Sequence, residues 1–226
     1  GEAASRLPCS VQLLVPLGML CAFLTSLVGM SITSFTLHVR GLVGMVLGPT
    51  AANTEWSLGA LFMELGHVTE IANPALLFCY QFVFVVTCCA LPLIWIVLIL
   101  AIWYLPMRPR ALKSLLVVGE ITYAWSMLDV FAVILAASLL ELDQVAKFTL
   151  GDECDTIDKV LSDYPQLEQQ LHLPGEASCF GVAPTLDAGW WLMVLGVLLA
   201  NLAGGFVVCA AHTALRERSD QVQRLK

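Results

Sequence analysis

The run IANPALLFCYQFVFVVTCCALPLIWIVLILAIWYLPM, residues 71–107, holds 37 residues without one Asp, Glu, Lys or Arg. A helix crosses a hydrocarbon core of about 30 Å with roughly 20 apolar residues. This run is longer than one crossing needs, so the helix is expected to project beyond the membrane, to tilt, or to bend at Pro92, whose ring removes one backbone hydrogen bond. Three further runs have the same character. Leu7 to Leu37 is free of Asp, Glu, Lys and Arg and accommodates a span from about Val11 to Ile32; Ile121 to Leu140 contains one ionisable residue, Asp129; Ala188 to Ala211 contains none.

The composition agrees with the runs. Of 226 residues, 58% are hydrophobic and 13% charged, against roughly 45–50% and about 25% in an average soluble domain. The mean hydropathy is +0.82. A chain this short cannot hide so much apolar side chain without a second apolar phase around it, which argues against a soluble enzyme. The net charge of −7, with eleven Lys and Arg, argues against a nucleic-acid partner, which requires clustered basic residues on one face. Because backbone in lipid must satisfy its own hydrogen bonds, the expected fold is mainly α: a four-helix transmembrane bundle with helices about 11–32, 72–104, 112–141 and 188–212. The outer links fall at about 33–70 and 142–187. Gly1 is not Met, so residues 1–226 are read as one membrane module cut from, or processed out of, a longer chain.

The charges choose a side. Arg6, Arg108, Arg110, Lys113, Arg216, Arg218, Arg224 and Lys226 fall at the ends and on the link between the second and third helices, against Arg40, Lys147 and Lys159 on the other links. The positive-inside rule then puts both termini on the cytoplasmic side. The acidic residues gather in the links on the outer or lumenal side, chiefly Asp152, Glu153, Asp155, Asp158, Asp163, Glu168 and Glu176.

Both outer links read as folded. Phe35 to Arg40 alternates apolar and polar residues as a strand does, and Gly41, Gly44 and Gly48 then punctuate the chain. Thr54 is positioned to cap a short helix to about Leu65, with Trp56, Leu61, Phe62 and Leu65 at the membrane interface. The long link repeats the triplet Phe148-Thr149-Leu150, offers a polar helical stretch over 156–170 interrupted at Pro165, and carries a second strand candidate at 178–182. A small outer sheet is expected from these strands.

Eight cysteines invite a redox or metal reading that their positions mostly deny. Cys9, Cys21, Cys79, Cys88, Cys89 and Cys209 sit in or beside apolar helices, where a thiol behaves as a small hydrophobe. Cys154 and Cys179 share the outer link, and in an oxidising compartment a disulfide between them would close a loop of about 25 residues. A thiol oxidoreductase working through these two with Cys88 and Cys89 is disfavoured, since no CxxC occurs and a vicinal pair within a span lacks access. His38, His67, His172 and His212 have no ligand spacing and read as solvated. The sequence therefore assigns no catalytic residue, metal or cofactor.

Asp129 is the exception, because a carboxylate in a spanning segment costs about 2.5–3.5 kcal/mol on insertion scales and is tolerated when it faces the bundle interior or a wet cavity. Trp125 and Asp129 are four residues apart and so share a helix face, while Glu120 faces the other way near the inner boundary. Two readings stay open: a hydrogen-bonded Asp that holds helices together, and a proton-linked or lipid-headgroup site.

The run Glu120-Ile-Thr-Tyr-Ala-Trp125-Ser126-Met127-Leu128-Asp129-Val130-Phe131 resembles the signature of the paraquat-inducible protein A family, PqiA, and its LetA-type relatives. In that family the third helix carries Trp-Ser-Met, a hydrophobic residue and Asp-Val-Phe, with a Glu five residues before the Trp. Asn73-Pro74 and Leu91-Pro92 echo the family's second helix. The resemblance is clear over about 71–140 and topological for the other two helices. It implies a non-enzymatic membrane module that works in phospholipid or hydrophobic-compound trafficking between membranes, with membrane lipids and an MCE-domain or other lipid-binding protein as partners. Asp129 would be its polar centre, with Trp125, Ser126 and Glu120 around it. Typical members have two such modules, Cys-rich zinc ribbons, and often a Lys shortly after the second-helix proline. Here there is one module and no ribbon, Trp95 stands at that place, and the link holding Cys154 and Cys179 is longer. The alternative is a structural tetraspan protein, similar to claudins or receptor auxiliary subunits, which binds a partner through its outer cap.

Overall fold

The computed structural model describes residues 9–48, 52–64, 74–163 and 180–224. The elements in order are α1 (Cys9–Ser31), β1 (Thr33–Arg40), α2 (Gly41–Leu47), β2 (Asn53–Ser57), α3 (Leu58–Glu64), α4 (Pro74–Phe84), a π-helical turn (Val85–Ala90), α5 (Leu91–Tyr104), α6 (Pro109–Trp125), α7 (Leu128–Asp163), β3 (Gly181–Leu186) and α8 (Ala188–Arg224). Four stretches are long and apolar enough to cross a membrane: Val11–Ser31, Ala75–Tyr104, Pro109–Val145 and Ala188–Glu217. The protein is an integral multi-pass membrane protein.

Helices α1 and α8 form the most extensive contact, and small residues make it possible. A Cβ at Gly29 would lie 2.8 Å from the Met193 backbone nitrogen, one at Gly196 would collide with the Ser26 hydroxyl, and just beyond α1 one at Gly189 would lie 2.6 Å from the Thr33 carbonyl oxygen of β1. Between lipid-facing helices there is no hydrophobic driving force, so close backbone approach through such residues supplies the packing. The buried stripe of α8, Gly189, Met193, Gly196, Ala200, Gly204, Val207 and Ala211, recurs at steps of three and four and so stays on one face. Around Met19, Ala22, Ala200 and Val207 the core closes with Trp95, Ile96, Ile99 and Trp103 of α5 and Leu116 of α6. A second cluster, Met30, Leu58, Leu128 and Met193, ties α1, α3, α7 and α8 together nearer the sheet.

Two of the four spans are irregular at mid-length. In the second, Pro92 lacks an N–H and its ring would crowd the carbonyl four residues back. The chain answers with a π-helical turn over Val85–Ala90, in which the Leu91 N–H reaches five residues back to the Val86 carbonyl. The same i to i−5 pattern would match the Thr87 carbonyl to residue 92, which has no proton to give. In the third span the helix stops at Trp125 and restarts at Leu128. The Ser126 N–H turns back to the Tyr123 carbonyl, and the first bond of α7 runs from the Phe131 N–H to the Met127 carbonyl. The Met127 N–H, freed by the break, donates to the Thr87 carbonyl at 3.1 Å.

The sheet has strand order β2-β1-β3, both pairings antiparallel, with Leu37 opposite both Thr54 and Pro184. Pro184 is tolerated because β3 is an edge strand. The sheet is fastened to the bundle at Asp187, whose N–H donates to the Ser34 carbonyl at 3.0 Å and whose carboxylate accepts the Thr36 hydroxyl at 2.5 Å. Gly41 (φ 81) turns the chain out of β1 into α2, a left-handed conformation that favours glycine.

The expected α-bundle with a small sheet is thus found, with four corrections. Residues 53–57 are a strand, not the start of a helix capped by Thr54; the cap of α3 is the Ser57 hydroxyl, which accepts the Ala60 N–H at 3.0 Å. The triplet at 148–150 is helical, because α7 continues to Asp163 instead of ending near 141, and α8 runs on past 212 to Arg224. The second strand candidate lies at Gly181–Leu186, with 178–179 outside the described residues. The third helix is two helices, so the spacing of four between Trp125 and Asp129 does not stack them on one face. Leu65, Pro165 and Cys179, and with Cys179 the Cys154–Cys179 pairing, also lie outside the described residues.

Candidate functional site

The restart of α7 places Asp129 in the first turn of a helix that begins within a stretch long and apolar enough to cross a membrane. Its Oδ1 accepts the Val130 N–H at 2.8 Å. A carboxylate here occupies the positive end of the helix dipole beside amide protons that have no intrahelical acceptor. The local geometry thereby offsets part of the cost that an acid in the middle of a continuous span would carry.

Asp129 and Ser126 line a cavity of about 30 Å³ together with Ser26 of α1, Tyr123 of α6 and Asn201 of α8. That is room for about one water molecule, in surroundings with the several polar partners a buried water needs. Trp95 and Pro92 of α5 form another wall. The Trp95 ring packs on Tyr123 at a centroid distance of 5.0 Å, and a Cβ at Gly204 would collide with it. Gly204 therefore makes room for the indole, which lines this cavity and the next.

The next cavity, about 270 Å³, shares Trp95, Tyr123 and Asn201 with the first and is otherwise mostly apolar, with Ile99, Ile102, Leu116, Val208 and Cys209 in its walls. Gly119 and Gly205 also line it, and a Cβ at either would meet nothing within 4 Å. Leu116 and Glu120 also border an open cleft of about 840 Å³ at the start of α6, lined by Arg110, Lys113, His212 and Arg216. Glu120 and His212 face each other across α6 and α8 at that junction, Oε1 to Nε2 at 3.0 Å. The three spaces form a series from a basic mouth, through an apolar chamber, to a small polar end at Asp129.

Of the residues singled out in the sequence, Asp129 and Ser126 come together at the small cavity, while Trp125 is exposed on the helix surface. Glu120 lies in the middle and outer spaces and bonds His212, which is exposed, as its reading as a solvated histidine expects. Ser26, Thr87, Tyr123 and Asn201 were missed. Thr87 had a signal in its five-residue spacing to Pro92, and Asn201 in being a carboxamide in an otherwise apolar run. Cys88 is buried and Cys89 half-buried in the π turn, both as free thiols. Among the described residues no three His, Cys, Asp or Glu side chains gather as a metal site would require.

Residues 75–154 match the family model described as paraquat-inducible protein A. The matched segment contains the π turn, Pro92, Glu120, the break at Ser126 and Asp129. No curated protein and no solved structure matches the chain.

Proposed function

With residues 75–154 belonging to the paraquat-inducible protein A family, we propose that this membrane module moves phospholipids or similar hydrophobic compounds, with Asp129 as the polar centre of the bundle. The observation that supports the reading is that Asp129 stands at a helix start, on a cavity shared with Ser26, Ser126 and Asn201. Discontinuous spanning helices whose ends face a polar cavity are a recurrent way of building a transport site in a membrane. The break and the π turn, joined through Met127 and Thr87, supply a place where half-helices can shift without exposing backbone to lipid. The termini and the Arg108–Lys113 stretch would lie on the cytoplasmic side, the sheet on the outer or lumenal side, and an MCE-domain or other lipid-binding protein would accept the cargo. A Cys154–Cys179 disulfide would fit that outer placement.

The test is the rate at which a fluorescent phospholipid leaves donor vesicles that contain the chain. Asp129→Asn is expected to slow it at least about tenfold while the protein inserts normally, which corresponds to about 1.4 kcal/mol of lost coupling. A variant that works at the wild-type rate removes Asp129 from the mechanism, and a wild-type chain no faster than protein-free vesicles removes transport.

A structural tetraspan role has one observation in its favour. Val46, Leu47 and Met63 of α2 and α3 are exposed beside the sheet, an apolar surface suited to a protein partner. Stable capture of one partner by the chain with no lipid transfer would favour that role.

A further inference from the structure

We infer that the cleft between α6 and α8 is a binding site for an anionic phospholipid, with the phosphate at Arg110, Lys113 and Arg216 and one acyl chain in the apolar chamber behind Glu120. Helix α6 packs chiefly on α5 and only thinly on α8, which leaves the cleft between α6 and α8 open. Its volume of about 840 Å³ is within the roughly 300–1,000 Å³ of small-molecule sites.

The charges and the depth both fit this occupant. Arg110 and Lys113 are in the first turns of α6, and Arg216 is at the end of the apolar part of α8, so all three reach the level of lipid phosphates. The start of α6 has no side-chain cap, since Arg108 makes no capping hydrogen bond, and its free amide protons add to the positive field. The cleft is lined by Arg110, Lys113 and Arg216 and by one acid, Glu120, which faces His212. Lys113 to Tyr123 is ten residues, about 15 Å along the helix axis, and the chamber walls over this length are Leu116, Gly119 and Tyr123. An acyl chain lying parallel to α6 would thus replace empty space with apolar contact while the phosphate stays at the mouth. Arginine and lysine that merely snorkel to an interface would have no chamber behind them.

The site deepens the transport reading by naming the lipid class, and binding is measured separately from transfer so that the two can fail separately. The full chain in detergent is incubated with phosphatidylglycerol or phosphatidylcholine of the same acyl composition, and the retained lipid is counted by native mass spectrometry. Phosphatidylglycerol is expected to be retained about tenfold or more over phosphatidylcholine, and the triple variant Arg110→Gln, Lys113→Gln, Arg216→Gln to lose that preference. Gly119→Leu, which fills the chamber, should lower retention of both lipids. Should the triple variant fail to insert, Lys113→Gln alone is expected to lower the preference severalfold. Equal retention of the two lipids by the wild type, or undiminished preference in the variants, overturns the site. Lipid transfer by a wild type without that preference would leave transport standing and the site refuted; preference without transfer would do the reverse.

Discussion

The Met127 amide proton is given to the Thr87 carbonyl, 3.1 Å away in a different span, and that bond joins the two irregular points of the bundle. Each partner is available for a local reason. Thr87 stands in a π-helical turn five residues before a proline, and Met127 is the second residue of the two-residue break between α6 and α7. A carbonyl or an amide left alone in an apolar surrounding costs about 1–3 kcal/mol, so each irregularity depends on the other.

Replacing Pro92 with Ala gives residue 92 a proton that the Thr87 carbonyl can accept from its own helix. The bond from Met127 then loses its necessity, and the two spans are expected to loosen at mid-length. Hydrogen exchange at the Met127 amide should rise about tenfold or more, matching the loss of roughly 1.4 kcal/mol of local protection. Unchanged exchange would mean that the π turn is fixed by packing and not by the proline.

Asp129→Asn keeps the size and the acceptor oxygen that holds the Val130 N–H but removes the charge at the start of α7. The dipole term at stake is about 0.3–1 kcal/mol, so the thermal midpoint in detergent should fall by no more than a few degrees. Asp129→Leu removes the acceptor as well and should cost more, on the order of 1–3 kcal/mol. An Asn variant as unstable as the Leu variant would show that the charge itself has a structural partner.

Glycine substitutions on α8 should separate packing from cavity. Gly189→Ala puts a methyl group against the Thr33 and Ile32 carbonyls, an overpacking that costs about 1–3 kcal/mol. Gly205→Ala meets nothing within 4 Å and gains helix propensity, so it should be neutral or stabilising by up to about 1 kcal/mol. Thermal unfolding of the two variants in one detergent decides it, and equal losses would contradict the close approach of α8 to the chain at Ile32 and Thr33.

How far these features were legible from the chain follows from the range of the forces that set them. The spans were readable because a long run without charge has one physical outlet, and β1 because alternation is local. The strand at Asn53–Ser57 was not, since Thr54 and Ser57 are both good caps and only pairing with β1 decides between strand and helix. The break after Trp125 was hidden because Ser126 and Met127 do not forbid a helix; the partner that stabilises the break is 40 residues away in sequence, at Thr87. Glu120 and His212 are separated by 92 residues, and no spacing rule joins them. At Asp129 the residue was legible and its surroundings were not: the helix start, Ser26 and Asn201 all come from tertiary packing.

The fastening of the sheet to the bundle gives a last prediction. Asp187 accepts the Thr36 hydroxyl through its carboxylate while its own N–H holds the Ser34 carbonyl, and the Trp190 N–H returns to the Asp187 carbonyl at 3.2 Å. Thr36 is buried, so Asp187→Ala leaves a hydroxyl with a lost partner and should destabilise by about 1–3 kcal/mol. Asp187→Asn retains an acceptor oxygen and should recover most of that loss. The measurement is proteolysis of the outer links under native conditions. The Ala variant is expected to be cut several times faster than the wild type and the Asn variant at nearly the wild-type rate, because cleavage follows the population of the opened sheet. Equal resistance of all three would mean that β1 and β3 hold together through their backbone pairing alone, and that Asp187 serves only to start α8.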